Sequence, residues 1–242
     1  MGSQGIRARI GNAMPAALAV PLRHRFGPSR EREMELLGRF CSPGSTCVDV
    51  GANKGTWTYG MAKAVGPDGH VLALEPQPEL VAYLQSAFGN TRQVEIQSVA
   101  ASDVRGTVTL QVPTVNGRSE PGLASLDRTY ESSTAYEVAT DRLDDIVGER
   151  AVAFIKIDVE GHELSVLSGA TAVLTRSRPT LVVELTDVVE SSGSRRAYDL
   201  LSVDFGYRPH VYASGHLAPI NRWPYWDANR SAQPTPNVVF LP

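Results

Sequence analysis

The chain has 242 residues, 42% of them hydrophobic, and a formal charge of -3 from 23 Lys and Arg against 26 Asp and Glu. A chain of this size can bury a substantial core, and α/β units of this length are commonly single domains, so one domain over 1–242 is expected, with 1–40 as a leader and 41–242 as the main fold. No block of like charge could track a phosphate backbone, which argues against a nucleic-acid partner, and Cys41 and Cys47 are too few for a disulfide framework. Reduced thiols and a cytoplasmic location are expected.

At the N-terminus, Arg7 and Arg9 precede an apolar stretch from Met14 to Leu22, followed by Arg23, His24 and Arg25. Pro15 and Pro21 break the stretch, which falls far short of the ~20 residues a spanning helix requires. Ile6 stands where a myristoylation signal needs Ser or Thr. The leader is expected to pack on the fold, with at most a peripheral membrane contact.

Short β-branched runs then alternate with amphipathic segments. Strands are predicted at Thr46 to Val50, Val71 to Leu74, Val94 to Val99, Val152 to Ile157 and Thr180 to Leu185. Trp57, Met61 and Ala64 mark a helix after the first strand. A second begins at Pro78 with Leu80, Leu84 and Ala87 on one face, and a third carries Leu164, Leu167, Ala170 and Leu174. Residues Gly106 to Pro113 and Thr134 to Thr140 look extended and predict an inserted hairpin over the ligand crevice, with Leu143 to Val147 starting a short helix. Tyr207 to Tyr212 and Asn237 to Leu241 close the pattern, the last strand antiparallel. The predicted fold class is α/β: a doubly wound, mostly parallel, seven-stranded Rossmann-like sheet with an inserted hairpin.

In such sheets ligands bind beyond the carboxyl ends of the strands, where the first strand reads Val48-Asp49-Val50-Gly51-Ala52-Asn53-Lys54-Gly55. Gly-Lys-Ser/Thr is missing, which excludes a P-loop, and Asn53 stands where a dehydrogenase fingerprint wants its middle glycine. Gly51 and Gly55 permit close approach of a ligand. Asp49 would repel a pyrophosphate but suits an ammonium and sulfonium ligand such as S-adenosylmethionine. Glu75 ends the second strand about 20 residues beyond the turn, where a carboxylate can accept both ribose hydroxyls, although that feature also serves NAD. Ala100, Ala101, Ser102 and Asp103 are placed near an adenine edge.

The stretch Ile155-Lys156-Ile157-Asp158-Val159-Glu160-Gly161-His162-Glu163 ends a buried strand in a cluster of acids and an imidazole. Together with the Asp49 to Gly55 turn, Glu75-Pro76 and Thr140-Asp141-Arg142-Leu143-Asp144, it resembles the FkbM-type family of S-adenosylmethionine-dependent methyltransferases. The likeness runs from about Thr46 to Leu185. It implies an O-methyltransferase with S-adenosyl-L-methionine as cofactor, acting on a small hydroxylated acceptor, often a sugar or polyketide in bacterial secondary metabolism or glycolipid assembly. Methyl transfer requires alignment and removal of a hydroxyl proton. His162 is expected as base, with Asp158 as its orienter or as the base itself, and Glu160 beside them. A divalent ion on Asp158 and Glu184 with Glu160 or His162 is the less favoured arrangement, so no metal is expected. Glu184 is instead expected to meet substrate. Arg222 to Asp227, with Trp223 and Trp226, is expected to stack on the acceptor. A nicotinamide oxidoreductase and a non-catalytic cofactor-binding protein are the alternatives.

Overall fold

A computed structural model describes residues 14–27, 31–115, 117–127, 129–186, 193–221 and 237–242. Near the N-terminus are α1 (Ala16–Phe26), a 3-10 turn (Arg32–Leu36) and α2 (Leu37–Phe40). The first half of the main fold contains β1 (Thr46–Val50), α3 (Thr56–Val65), β2 (His70–Leu74), α4 (Pro78–Phe88), β3 (Val94–Gln97) and β4 (Ala100–Ser102). The insertion holds β5 (Gly106–Val115), β6 (Arg118–Ser119), a 3-10 turn (Pro121–Leu123) and β7 (Ser133–Arg142). After it come α5 (Leu143–Val147), β8 (Val152–Ile157), α6 (Glu163–Ser168), α7 (Thr171–Ser177), β9 (Thr180–Glu184), α8 (Gly193–Asp199) with a π-helical turn (Leu200–Asp204), β10 (Arg208–Ala213), β11 (His216–Pro219) and β12 (Asn237–Leu241).

Among the described residues the main sheet has eight strands in the order β11-β10-β12-β9-β8-β1-β2-β3, parallel from β9 through β3 and antiparallel at β12 and beyond. The predicted sheet of seven is thus extended by β11, because a Ser214-Gly215 turn folds His216–Pro219 back as an edge hairpin on β10. Alternating residues of β1 explain the two-faced core. Val48 and Val50 pack with Ile155, Ile157, Leu167 and Leu181 on one face. Cys47 packs with Trp57, Met61, Phe154 and Val182 on the other. Apolar runs buried on both faces are what parallel pairing requires.

The leader residues of α1 pack as expected, with Val20 fully buried against Leu84 and Phe88 of α4. Two other expectations need correction. The strand predicted over Val94 to Val99 ends at Gln97, and the chain leaves the main sheet there: the next strand, β4, pairs with β7 in a second sheet, of order β4-β7-β5-β6. The helix predicted from Leu164 to Leu174 breaks at Gly169 into α6 and α7. A Cβ at Gly169 would stand 1.9 Å from the Ser102 carbonyl oxygen, so the chain crosses β4 too closely for a continuous side-chain-bearing helix.

Candidate functional site

The carboxyl ends of β1, β2 and β8 converge on the turn 51–55. Gly51 has φ 79° and Asn53 φ 48°, both left-handed, so the chain reverses sharply out of β1. The Gly51 and Ala52 N–H groups both donate to the Leu74 carbonyl at 3.0 Å, tying the turn to the end of β2. A Cβ on Gly51 would fall 1.9 Å from the Asp158 carbonyl oxygen, so glycine there lets β1 and β8 deliver their ends side by side. Gly55 serves differently from its expected role. It caps α3 with φ 74°, lines neither lobe of the cleft described below, and makes room for the Phe88 ring, 2.5 Å from where its Cβ would be.

Above this turn lies an open cleft of about 100 Å³ beside an adjoining lobe of about 380 Å³, together within the size range of small-molecule sites. One wall is apolar, from Leu74, Pro76, Leu80 and Val99 to Ala101; the insertion supplies the facing Leu110, Ala124 and Leu126. The polar groups are Asn53, Glu75, Asp158, Glu160 and His162. A second lobe shares Gly51, Asn53, Gly122 and Asp158 with the first and adds Asp49, Trp57, Lys156, Glu31 and Arg23. Glu75 is 5% exposed, and burial pushes its carboxyl up to about 7 despite hydrogen bonds from the Gln77 and Asn53 N–H groups, at 2.9 and 2.8 Å. Asp49 is equally enclosed; burial raises it to about 6, offset in part by a hydrogen bond from the Thr58 hydroxyl.

The third group of acids is built by β8 and β9. Carboxylate oxygens of Asp158, Glu160 and Glu184 lie within 4.8 Å of one another. Burial, then a hydrogen bond with Asp158 and its charge, pushes the Glu184 carboxyl well above the usual carboxylate range. Burial also opposes charge on Asp158, but Lys156 and the Glu184 hydrogen bond outweigh it and hold Asp158 below the usual carboxylate range. Lys156 is 1% exposed. Its Nζ is 3.3 Å from Asp158 Oδ2, 3.8 Å from Glu31 Oε2 and 3.2 Å from Asn237 Oδ1, and it stands 5.6 Å from the Trp57 ring centroid. Glu31 in turn accepts from Trp57 Nε1 at 3.0 Å and from Asn237 Nδ2 at 2.6 Å. A buried ammonium is costly unless paired and hydrogen-bonded, and here four chain segments pair with it.

His162 lines the cleft, but both its ring nitrogens are engaged: Nδ1 lies 2.7 Å from Asp127 Oδ2 and Nε2 lies 2.9 Å from Ser102 Oγ. Ser102 also donates to Asp103 Oδ1 at 3.1 Å, making a chain Asp127, His162, Ser102, Asp103. Asp127 belongs to the insertion, which is fastened a second time where the Ser125 hydroxyl donates to the Glu160 carbonyl at 2.9 Å. Glu160, with φ 53°, and Gly161, with φ 110°, form the tight turn that presents this carbonyl, held from inside by Gly161 N–H to Glu163 Oε1 at 3.1 Å.

The structure therefore brings Asp49, Gly51, Asn53, Glu75, Asp158, Glu160 and His162 around one cleft, with Glu184 beside Asp158. Ser102 and Asp103 sit behind it, joined to His162, while Val99 to Ala101 take the lining position. Trp223 and Trp226 lie outside the described residues. Sequence reasoning missed Lys156, Asp127, Glu31 and Asn237. Of these only Lys156 left a signal, a lone cation inside the apolar run Phe154 to Ile157.

A doubly wound sheet with a cleft at a strand-end glycine turn, and an acid ending β2, is the arrangement of Rossmann-like enzymes that bind a nucleoside cofactor. The Methyltransferase FkbM domain matches residues 49–209, and the chain belongs to that family, whose methyl donor is S-adenosylmethionine. The protein-L-isoaspartate O-methyltransferase of Triticum aestivum is 30% identical over 146 residues, 58% of this chain and 59% of that protein. The O-methyltransferase from Bacillus cereus, solved with S-adenosylhomocysteine, shares the fold with TM-score 0.50 at 14% identity, over 98% of this chain and 87% of its own. The methyltransferase FkbM from Methylobacillus flagellatus gives TM-score 0.49 at 18% identity, covering 96% of this chain and 57% of that one. The chain thus spans less than two thirds of the length of the wheat and Methylobacillus proteins.

Proposed function

We propose that the chain is an O-methyltransferase that methylates a neutral hydroxyl of a small-molecule acceptor, a sugar of a glycolipid or glycosylated natural product, and that residues 1–242 work as one methyltransferase domain. The observation that carries this reading is the junction of the cleft at Glu75 with the Asp158, Glu160 and Glu184 carboxylates. The cofactor fits the first part: Glu75 is a buried acceptor for a ribose diol, Asp49 offers a carboxylate for an ammonium, and the apolar walls suit a purine ring.

The second part favours a hydroxyl. An ionised Asp158 would repel a carboxylate acceptor of the isoaspartyl kind but hydrogen-bonds an alcohol. When bound, S-adenosylmethionine supplies an electrophilic methyl carbon on a sulfonium. With that group bound, the chain's own part would be to aim the acceptor oxygen at the methyl carbon and to receive the hydroxyl proton on Asp158. Lys156 keeps Asp158 ionised beforehand, and Glu184 as a proton donor stabilises that carboxylate. With both ring nitrogens committed, His162 holds the insertion over the cleft, and the base assignment moves to Asp158. The three carboxylates also form a hard-oxygen set that would hold a divalent ion, which remains the subordinate arrangement.

Calorimetric titration with S-adenosylmethionine, S-adenosylhomocysteine and NAD tests the cofactor, and screening glycosides, glycolipids and aglycones for a one-methyl mass gain tests the acceptor. Binding of NAD alone would overturn the reading.

A further inference from the structure

Helix α1 has two unlike faces. Ala16, Ala19 and Val20 are buried against the fold, whereas Leu18, Leu22 and Phe26, four residues apart, are 61%, 45% and 71% exposed on the outward side. Large apolar side chains at i, i+4 and i+8 form a stripe along a helix. Cations flank it: the Arg25 guanidinium lies 5.2 Å from the Phe26 ring centroid, and Lys63 stands 5.9 Å from the Tyr59 ring on the adjoining surface of α3. Leu22, Arg25, Phe26, Tyr59 and Lys63 line one shallow open groove.

The charge distribution of the sequence points the same way. Residues 1–30 contain Arg7, Arg9, Arg23, Arg25 and Arg30, five of the 23 basic residues, and none of the 26 acidic ones. The remaining 18 basic residues face all 26 acids, so a net-negative body carries a wholly cationic N-terminal segment. Scattered salt bridging does not call for such segregation. Basic side chains around an exposed Leu and Phe stripe are the composition of helices that lie in a bilayer interface, where phosphate headgroups meet the cations and acyl chains meet the stripe.

We infer that this face of α1 rests on the surface of an anionic lipid bilayer. The helix lies flat; no helix among the described residues is long and apolar enough to cross a membrane. Arg23, on the same helix, lines the second lobe of the cleft, so the helix that meets the bilayer also borders the cleft, and an acceptor anchored by a lipid tail would be held near it. The surface contact stands independently of the methyl-transfer reading; only the acceptor's approach rests on it.

The test is flotation of the full chain with vesicles of phosphatidylcholine alone or containing phosphatidylglycerol. The chain is expected to float with the anionic vesicles, to be released by high salt, and to ignore the zwitterionic ones. Leu18→Ser, Leu22→Ser and Phe26→Ser combined should lower partitioning by at least about tenfold, and Arg25→Gln with Lys63→Gln should weaken it severalfold, while the exposed Val203→Ser changes nothing. An unaltered melting temperature and S-adenosylhomocysteine affinity would show that the variants fold and keep the cofactor site. If a variant misfolds, Phe26→Ser alone carries the test. Failure of the wild-type chain to bind anionic vesicles, or full binding by the stripe variant, overturns the inference. So does a concentration-dependent dimer that the stripe variant abolishes in the absence of vesicle binding, which would make the face a contact between copies. A chain that floats as expected but binds no S-adenosylhomocysteine would instead count against the function alone.

Discussion

Glu75→Gln is the most informative single perturbation of the cofactor site. The side chain is 5% exposed, its oxygens already hold the Asn53 and Gln77 N–H groups at 2.8 and 2.9 Å, and each retains a lone pair for a ribose hydroxyl. Two charge-assisted hydrogen bonds, each worth roughly 1.5–3 kcal/mol before the loss of hydrating water, leave about 2 to 4 kcal/mol for S-adenosylhomocysteine, or roughly 30- to 700-fold in affinity. Glu75→Ala should cost as much, and the exposed Glu131→Ala nothing. The pH dependence supplies a second readout. Because burial raises Glu75 from 4.5 to about 7, the folded state binds its proton more tightly than the unfolded chain does. Its contribution to stability is complete below about pH 4.5 and declines, by on the order of 3 kcal/mol, as pH rises to about 7. Binding of a ribose diol has the opposite sign: it wants the ionised form, so affinity should climb as pH rises through about 7, and Glu75→Gln should lose that rise and keep only the one that Asp49 contributes at about 6. Calorimetric titration of both proteins across that window, with thermal melts of the ligand-free chains, decides the matter. Equal affinities for wild type, Glu75→Gln and Glu131→Ala would refute the assignment.

Asp158→Asn should lower turnover about 100-fold or more while S-adenosylhomocysteine affinity stays within a few-fold, measured by steady-state rates beside titration. His162→Ala should loosen the insertion, seen as faster proteolysis within 106–142 and a several-fold weaker cofactor; a large fall in turnover with protection and affinity intact would return the base to His162. Lys156→Met, which strands Asp158 and Glu31 without their cation, should destabilise the fold by about 3 kcal/mol in denaturant unfolding, and a neutral result would show that the buried pair is dispensable. Chelator treatment of active enzyme should leave the rate unchanged; a loss restored by a divalent ion would give the three-carboxylate cluster a metal.

The strands and the turn were legible because their signals are local. Val152 to Ile157 was bounded to the residue, since a buried parallel strand must be apolar throughout and its end is marked by Asp158. The hairpin at 106–142 was legible from β-branched alternation, but its second fastening was not: Asp127 is separated from His162 by 35 residues and from Ser102 by 25, with no periodicity to link them. The break at Gly169 was hidden for the same reason, because the helical spacing of Leu164, Leu167 and Leu174 persists across it and the obstacle is the Ser102 carbonyl of a distant strand.

The sequence by itself determined the α/β alternation, the glycine turn after β1 and the identity of the acids that end β1, β2, β8 and β9. These follow from backbone sterics and from the side-chain period of each element, which a residue's neighbours in the chain dictate. Only the tertiary structure decided in which direction each acid is shifted and that His162 is engaged at both ring nitrogens. Glu184 and Asp158 are both carboxylates at strand ends, and nothing local distinguishes them; Lys156, held between Glu31 from before the sheet and Asn237 from its last strand, lowers the Asp158 carboxyl, while burial and Asp158 itself raise that of Glu184. The protonation of a buried group is set by the charges and water around it, and those arrive from chain segments that meet only when the sheet is assembled.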